Sequence, residues 1–126
     1  MLMDDRRTAL VVDDDELVRR SIADILEFLD LRTLSASGSA DALALLNGIP
    51  RWDLLITDIS LRGEEGWTVA EKVRANSPGT AIIYVTGHHH LDEGRPLPRS
   101  LILTKPFTVD RLEEAVGHAV SFLEIS

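Results

Sequence analysis

Four short apolar runs in this sequence each lead directly into acidic, hydroxyl or ammonium side chains. The runs ALVV, LLIT, AIIYV and LILT are followed by Asp13 and Asp14, Asp58, Thr86 and Lys105. Neighbouring carboxylates resist ionisation together unless a cation neutralises them. Three carboxylates, a hydroxyl and an ammonium group could hold Mg²⁺ (or Mn²⁺) and with it the oxygens of a phosphoryl group. One carboxylate could then act as the nucleophile, because aspartate can form an acyl phosphate.

Each of these residues, taken singly, also has an ordinary structural explanation. The acidic run DDDE suits a solvated helix start, because acids favour helix N-termini. Asp58 could form a turn or cap, Thr86 could bond to backbone at a strand end, and Lys105 could be a surface lysine. The combination favours chemistry, because all five residues follow the ends of apolar runs in one order.

Strand and helix patterns alternate along the chain between these positions. Apolar runs predict strands at Ala9–Val12, Leu31–Ser37, Leu54–Thr57, Ala81–Val85 and Leu101–Leu103. Apolar residues spaced three and four apart predict helices at about Glu16–Leu29, Ser39–Asn47, Trp67–Ala75 and Val109–Leu123. Ser39 is expected to cap the second helix and Gly48 to stop it. The stretch SLRGEEG is predicted to be a loop.

This alternation predicts an α/β fold with a doubly wound, five-stranded parallel sheet and helices on both faces. The carboxyl ends of all strands then lie at one edge, where such sheets bind ligands. The segment Gly87–Ser100 stands where a fourth helix is due. It contains Pro96 and Pro98 and little apolar periodicity, so this fourth helix is expected to be atypical.

Length and composition limit the class of protein. A chain of 126 residues suits one domain, residues 1–126. The formal net charge of −8 argues against nucleic acid as a direct partner, because phosphate binding needs clustered Lys and Arg. The chain has no cysteine, which excludes disulfides and thiolate sites. No signal peptide or membrane-length apolar run is visible, so a cytoplasmic location is expected.

The motifs VVDDDELVRR, LLITDISLRGEEG, IIYVTG and LTKPF resemble those of the receiver domain of two-component response regulators. They occur in the family's order and near its spacing, and the resemblance covers essentially the whole chain. It implies a flavodoxin-like sheet of order 2-1-3-4-5. It also implies that Asp58 is the phosphoacceptor, that Thr86 follows the phosphoryl group, that Lys105 pairs with it, and that the Lys105–Pro106 bond is cis.

The resemblance further implies a Mg²⁺ site and a signalling function. Asp14 and Asp58 would bind the ion directly, Asp13 through a water, and Ser60 through its backbone carbonyl. A sensor histidine kinase, a histidine phosphotransfer protein or a small acyl phosphate would supply the phosphoryl group. The domain would catalyse its own phosphorylation and dephosphorylation, with no metabolic substrate, and would switch a surface for a protein partner or a second copy. It could be a stand-alone receiver or part of a longer regulator.

The sequence departs from the family's pattern in two places. Many receivers carry Tyr or Phe three residues before the lysine, where this chain has Ile102. The segment from Thr86 to Lys105 is short and proline-rich. These two features resemble a subgroup of stand-alone receivers best known from alphaproteobacteria, which have an irregular fourth helix and no aromatic residue at that position. The family's frequent proline in the loop after the acceptor is absent as well, with Arg62 near its place. His88–His90 are expected to form a solvated loop and not a metal site, since consecutive rings cannot easily face one ion.

Two other functions compete with the phosphoacceptor. A phosphorylation-independent interaction module would not need the set Asp14, Asp58 and Lys105. A Mg²⁺-dependent phosphohydrolase acting on outside substrates would typically carry a second acid two residues after its nucleophile, where this chain has Ser60. Nearby, Gly63 and Gly66 are expected to serve the loop backbone, where glycine reaches positive φ at low cost. Trp67 is expected to be partly buried and to serve packing and not ligand stacking.

Overall fold

A five-stranded parallel sheet forms the centre of the computed structural model, which describes residues 6–49, 51–61, 64–87 and 96–123. Its strands are Thr8–Val12 (β1), Arg32–Ala36 (β2), Leu54–Asp58 (β3), Ala81–Thr86 (β4) and Ser100–Thr104 (β5). Their order is β2-β1-β3-β4-β5, and every neighbouring pair is parallel. The predicted doubly wound sheet of order 2-1-3-4-5 is thus confirmed.

Four helices cover this sheet within the described ranges: Glu16–Phe28 (α1), Ser39–Gly48 (α2), Gly66–Asn76 (α3) and Val109–Leu123 (α4). The central strands β1, β3 and β4 are buried along their whole length, as expected for strands covered on both faces. Alternate residues divide them into two cores. One core packs against α2 and α3 and includes Leu10 and Tyr84, while the other packs against α1 and α4 and includes Val11 and Ile83.

The region predicted to hold an atypical fourth helix is described only at its two ends. Residues 88–95 lie outside the described ranges, and with them His88–His90. Gly87 and residues 96–99 are described and are not helical. The described part of the segment is tied to α3 and its following turn by two bonds from arginine guanidinium groups to proline carbonyls: Arg74 to Pro98 at 2.8 Å and Arg99 to Pro78 at 2.7 Å.

Two local predictions were wrong. Ser39 does not cap α2, because the N-cap is Gly38 and no side chain bonds to the first turn. Gly48 is the last helical residue and Ile49 is the C-cap, so the helix ends one residue later than expected.

The predicted loop after β3 contains a short antiparallel pairing of Ser60–Leu61 with Glu64–Glu65. Arg62 and Gly63, which connect these two pieces, lie outside the described residues.

Within the described ranges, the structure contains no helix with the length and apolar character needed to cross a membrane.

Candidate functional site

Three carboxylates meet at the carboxyl edge of the sheet. Asp13 and Asp14 follow β1, and Asp58 is the last residue of β3. One oxygen from each lies within 4.8 Å of the others, a spacing that could hold a metal ion. β1 and β3 are adjacent and parallel, with Val12 in register with Thr57, which explains why residues far apart in sequence meet here. The structure therefore brings together the acidic side chains that the sequence pointed to.

The four consecutive acids divide between two tasks. Asp13 is buried in the site, with 1% of its surface exposed, whereas Asp14 is exposed. Asp15 is the N-cap of α1, and its Oδ1 accepts hydrogen bonds from the backbone N–H groups of Leu17 and Val18 at 3.0 and 3.4 Å. The helix-start explanation therefore holds for Asp15, whereas Asp13 and Asp14 lie in the acidic cluster that the cation-site explanation requires.

Lys105 supplies the positive charge of the site. Its Nζ lies 2.9 Å from Asp58 Oδ2 and 3.6 Å from Asp13 Oδ2. Its backbone N–H donates to the carbonyl of Thr86 at 2.7 Å, and the Lys105–Pro106 bond is cis, as predicted. Burial alone would lower the pKa of the Lys105 ammonium group. The hydrogen bond to Asp58 and the charges of Asp13 and Asp58 outweigh burial and raise the pKa, so Lys105 is a permanent cation.

The two carboxylate oxygens of Asp13 differ in their hydrogen bonding. Its Oδ1 accepts the backbone N–H of Asp15 at 2.8 Å. Its Oδ2 is buried and has no hydrogen-bond partner among the described residues. Burial raises the pKa of Asp13, and the charges of Asp58 and Asp14 add to this, although the Asp15 N–H and Lys105 act against it. A buried carboxylate oxygen without a hydrogen bond, beside two further carboxylates, fits a hard divalent cation with oxygen ligands.

The two carboxylate oxygens of Asp58 have different partners. Oδ2 faces Lys105, and Oδ1 accepts the backbone N–H of Ser60 at 3.0 Å. Asp58 is mostly buried, with 11% of its side chain exposed. Ser60 is exposed and pairs with Glu65 in the short hairpin. The structure thus fixes the backbone of Ser60 directly beside the carboxylate of Asp58.

Thr86 lies at the same edge, but its hydroxyl does not reach the carboxylates. It is the last residue of β4 and is 1% exposed. Its Oγ1 donates to the carbonyl of Gly87 at 2.5 Å. No hydrogen bond joins this hydroxyl to Asp58 in the described part of the chain. In this structure Thr86 therefore bonds to the backbone at a strand end, which is the ordinary structural role considered for it above.

Gly66 is a site residue whose importance was misjudged from the sequence. It is the first residue of α3 and does not have the positive φ expected of it. A Cβ atom at this position would lie 2.0 Å from the backbone oxygen of Asp58. The helix therefore starts in direct contact with the backbone of Asp58, and only glycine leaves room for it. Gly63, its companion in that prediction, lies outside the described residues.

Trp67 serves packing, as predicted. Its aromatic partner is Tyr84, which the sequence pattern identified only as part of a strand. The rings of Trp67 and Tyr84 are 4.5 Å apart at an angle of 48°. Tyr84 is fully buried in β4, and its hydroxyl accepts the backbone N–H of Leu97 at 3.1 Å. Ile102 pairs with Tyr84 in register on β5 and is 42% exposed. A contact across 17 residues between a helix and a strand leaves no signal in local sequence patterns.

Comparisons with known proteins point to one family. The sequence profile of the response regulator receiver domain matches residues 9–117. The chain is 30% identical over 118 residues to response regulator protein PilR of Pseudomonas aeruginosa, covering 91% of this chain and 26% of PilR. It is 32% identical over 114 residues to the positive alginate biosynthesis regulatory protein of that species, covering 87% and 46%. It therefore spans less than half the length of either relative.

Solved structures agree with this finding. A response regulator receiver protein from Sinorhizobium medicae superposes with a TM-score of 0.83 at 29% identity, covering 93% of this chain and 96% of that one. A response regulator receiver domain protein from Clostridium thermocellum gives a TM-score of 0.80 at 27% identity, with coverage of 94% and 98%.

Proposed function

Because the chain belongs to the response regulator receiver domain family, whose members serve phosphorylation-dependent signalling, we propose that Asp58 is its phosphoacceptor. The donor is a phosphohistidine on a sensor histidine kinase or on a histidine phosphotransfer protein. The observation that carries this proposal is the joint placement of Asp58 beside two further carboxylates and 2.9 Å from the Lys105 ammonium group. Phosphoryl transfer depends mainly on positioning and charge neutralisation, and these residues supply both.

The chemical step is a transfer between two covalent partners. A carboxylate oxygen of Asp58 attacks phosphorus, an O–P bond forms, and the N–P bond of phosphohistidine breaks. With acetyl phosphate as donor, the O–P bond to acetate breaks instead and acetate leaves. Lys105 then pairs with an oxygen of the phosphoryl group instead of with Asp58 Oδ2. Attack of water on the same phosphorus returns the free carboxylate and phosphate.

Mg²⁺ (or Mn²⁺) fits the site as its cofactor. Asp14 and Asp58 would hold it directly, Asp13 through a water, and Ser60 through its backbone carbonyl. When bound, the ion neutralises the acidic cluster and the negative oxygens of the phosphoryl group. The buried, unbonded Oδ2 of Asp13 and the close spacing of the three carboxylates support this assignment.

Thr86 would act after transfer. Its hydroxyl currently donates to the carbonyl of Gly87. An aspartyl phosphate adds strong acceptor oxygens at the edge where β4 ends. We propose that the hydroxyl exchanges its backbone acceptor for one of these oxygens, which would change the backbone of residues that follow Thr86.

The proposal is tested by measuring intact protein mass after incubation with acetyl phosphate and Mg²⁺. The wild type should gain one phosphoryl group, and it should gain none when EDTA removes the metal. Asp58→Asn should gain none under any condition, because the amide cannot act as the nucleophile. Asp24→Asn is the matched control, since Asp24 is an exposed acid on α1 outside the site, and it should behave like the wild type.

If the folded wild type gained no phosphoryl group, two explanations would have to be separated. A stable complex with Mg²⁺ and beryllofluoride would show a working site with rapid hydrolysis. Failure of that complex as well would contradict the proposal and favour the phosphorylation-independent interaction module.

The proposal also covers the extent of the domain, its partner and its location in the cell. We propose that residues 1–126 act as one receiver domain whose output is a protein surface, for a downstream partner or a second copy. The formal charge of −8 supports a protein partner over direct nucleic-acid binding. A cytoplasmic location fits a donor of the histidine-kinase class and belongs to the same proposal.

A further inference from the structure

The backbone that leads into β5 is tied to the core by a tyrosine. Tyr84 is fully buried, and its hydroxyl accepts the backbone N–H of Leu97 at 3.1 Å. The hydroxyl of Ser100 donates to the carbonyl of Leu97 at 2.5 Å, which folds residues 97–100 into one unit. The side chain of Leu97 packs against the same core cluster that holds Tyr84. Movement of the Tyr84 ring would therefore move, or release, this segment.

Trp67 is an aromatic neighbour of Tyr84 in the same core cluster. Its indole is 8% exposed and lies 4.5 Å from the Tyr84 ring. Its Nε1 is buried without a hydrogen-bond partner among the described residues. The orientation of the indole is therefore fixed by packing alone, with no hydrogen bond that resists a rotation or a shift.

The phosphoacceptor touches the start of the helix that carries Trp67. The backbone N–H of Gly66 donates to the carbonyl of Ile59 at 2.7 Å, and Gly66 lies against the backbone oxygen of Asp58. The first residue of α3 is therefore in direct contact with the backbone of Asp58 and Ile59. A change in the peptide of Asp58 and Ile59 thus displaces Gly66, and Trp67 follows it directly in the chain.

We propose that Trp67 and Tyr84 form a coupling pair that transmits the phosphorylation state of Asp58 to residues 97–100. This inference rests on the proposed function and names the internal route of its regulation. The route runs from Asp58 through the first turn of α3 to the tilted ring pair of Trp67 and Tyr84, and from the Tyr84 hydroxyl to the Leu97 amide. On β5, the residue in register with Tyr84 is Ile102, which has no polar group that could make such a bond.

The Leu97 amide is the natural reporter of this route. In ¹⁵N-labelled wild-type protein, Mg²⁺ with beryllofluoride should shift the Leu97 amide resonance and the Trp67 indole resonance together. Tyr84→Phe removes the acceptor and little else. In the untreated variant, Leu97 amide exchange should rise roughly five- to tenfold, the loss expected for one ordinary hydrogen bond. Beryllofluoride should then leave the Leu97 resonance unchanged.

The two tryptophans provide a matched pair of variants for the other half of the route. Trp67→Phe shortens the ring that contacts Tyr84 and should reduce the Leu97 response. Trp52→Phe makes the same change at a buried tryptophan just before the amino end of β3, whereas Asp58 lies at the carboxyl end of that strand. Its Nε1 also lacks a partner within the described residues, so it controls for general loosening of the core. The Trp52 variant should keep the full response.

Two outcomes would overturn the coupling pair while leaving the phosphoacceptor intact. One is a wild-type Leu97 resonance that does not move although the mass adduct on Asp58 forms. The other is a full Leu97 response in both Tyr84→Phe and Trp67→Phe. Absence of the mass adduct itself would instead contradict the proposed function, so the two failures are distinguishable.

Discussion

At the scale of single residues, Lys105 is the counter-ion that holds the site together. Three carboxylates crowd one end of the sheet, and Lys105 touches two of them. Its raised pKa keeps it charged, so it competes with any divalent cation for the same oxygens. The free energy of the site therefore depends on which cation neutralises it.

Lys105→Gln should make the protein more dependent on Mg²⁺. In EDTA, the variant should melt below the wild type, because Asp13 and Asp58 lose their ion pairs with the Lys105 ammonium group. Mg²⁺ should raise its melting temperature by more than that of the wild type, and at a lower Mg²⁺ concentration, since no ammonium group competes. Differential scanning fluorimetry across a Mg²⁺ titration measures both effects.

Arg20→Gln is the charge-matched control, because Arg20 is exposed on α1. It should show the wild-type response to Mg²⁺. If both variants gained the same stability from Mg²⁺ as the wild type, Lys105 would not be the competing cation.

The residues of the site differ in how far sequence could identify them. Asp13, Asp58 and Lys105 could be found because parallel strands carry their carboxyl ends to one edge. The hydrogen bond of Thr86 could not be predicted from the sequence, because its hydroxyl can donate either to a backbone carbonyl or to a ligand. The structure shows that it donates to the carbonyl of Gly87. The close approach at Gly66 was missed for a similar reason, since a loop glycine suggests backbone conformation before it suggests contact.

At the scale of secondary-structure elements, the contact between α3 and β3 is the tightest constraint near the site. Gly66→Ala should lower the free energy of unfolding by about 2 kcal/mol or more, because its Cβ would meet backbone atoms that cannot rotate away. Urea unfolding followed by circular dichroism measures this loss.

Gly117→Ala makes the same chemical change where there is space. Gly117 is exposed on α4, and a Cβ there meets nothing within 4 Å. This variant should be more stable than the wild type by about 0.5–1 kcal/mol, the usual gain from alanine in a helix. Equal effects of the two substitutions would show that the contact at Gly66 carries no strain.

Element boundaries were predictable where apolar periodicity was strong and less so where polar residues decide. β1 extends back to Thr8, which pairs with Arg32 on β2 and whose backbone N–H donates to Asp53 Oδ2 at 2.9 Å, a bond across 45 residues. α2 begins at Ser39 without a side-chain cap, and the nearby Ser37 hydroxyl donates to Asp41 instead. Both depend on side-chain partners that a sequence pattern does not specify.

At the scale of the whole molecule, Tyr84 links the stability of the fold to alkaline pH. Burial raises the pKa of Tyr84, and the Leu97 N–H and Arg74 lower it only in part. A raised folded-state pKa means that the stability it contributes is full below the unfolded value, about 10, and is lost as pH rises through the folded value. The free energy of unfolding of the wild type should therefore fall more steeply above pH ~10 than that of Tyr84→Phe.

The measurement is direct because Tyr84 is the only tyrosine in the chain. Urea unfolding at several alkaline pH values gives the two slopes, and phenolate absorbance reports ionisation of this one residue. Parallel slopes for the two proteins would contradict the assignment of the alkaline loss to Tyr84.

The two ends of the sheet treat their polar groups in opposite ways. At the amino end, the backbone N–H of Trp52 donates to the Ser77 hydroxyl at 2.9 Å, and its carbonyl accepts the hydroxyls of Ser77 and Thr80 at 3.0 and 2.6 Å. At the carboxyl end, Asp13 keeps a buried oxygen with no hydrogen bond in the described structure. The backbone of Trp52 is thus satisfied by side-chain hydroxyls at the amino end, whereas the buried Asp13 oxygen at the carboxyl end lies in the acidic cluster.

The buried Oδ2 of Asp13, which has no hydrogen bond in the described structure, sets the free energy of unfolding against the proposed function. A buried acceptor without a donor costs free energy, so selection for heat resistance alone would favour an apolar residue at this position. That replacement would remove one carboxylate of the proposed cation site. Substitutions chosen at this position for a higher melting temperature alone would therefore be expected to reduce the proposed phosphoryl transfer.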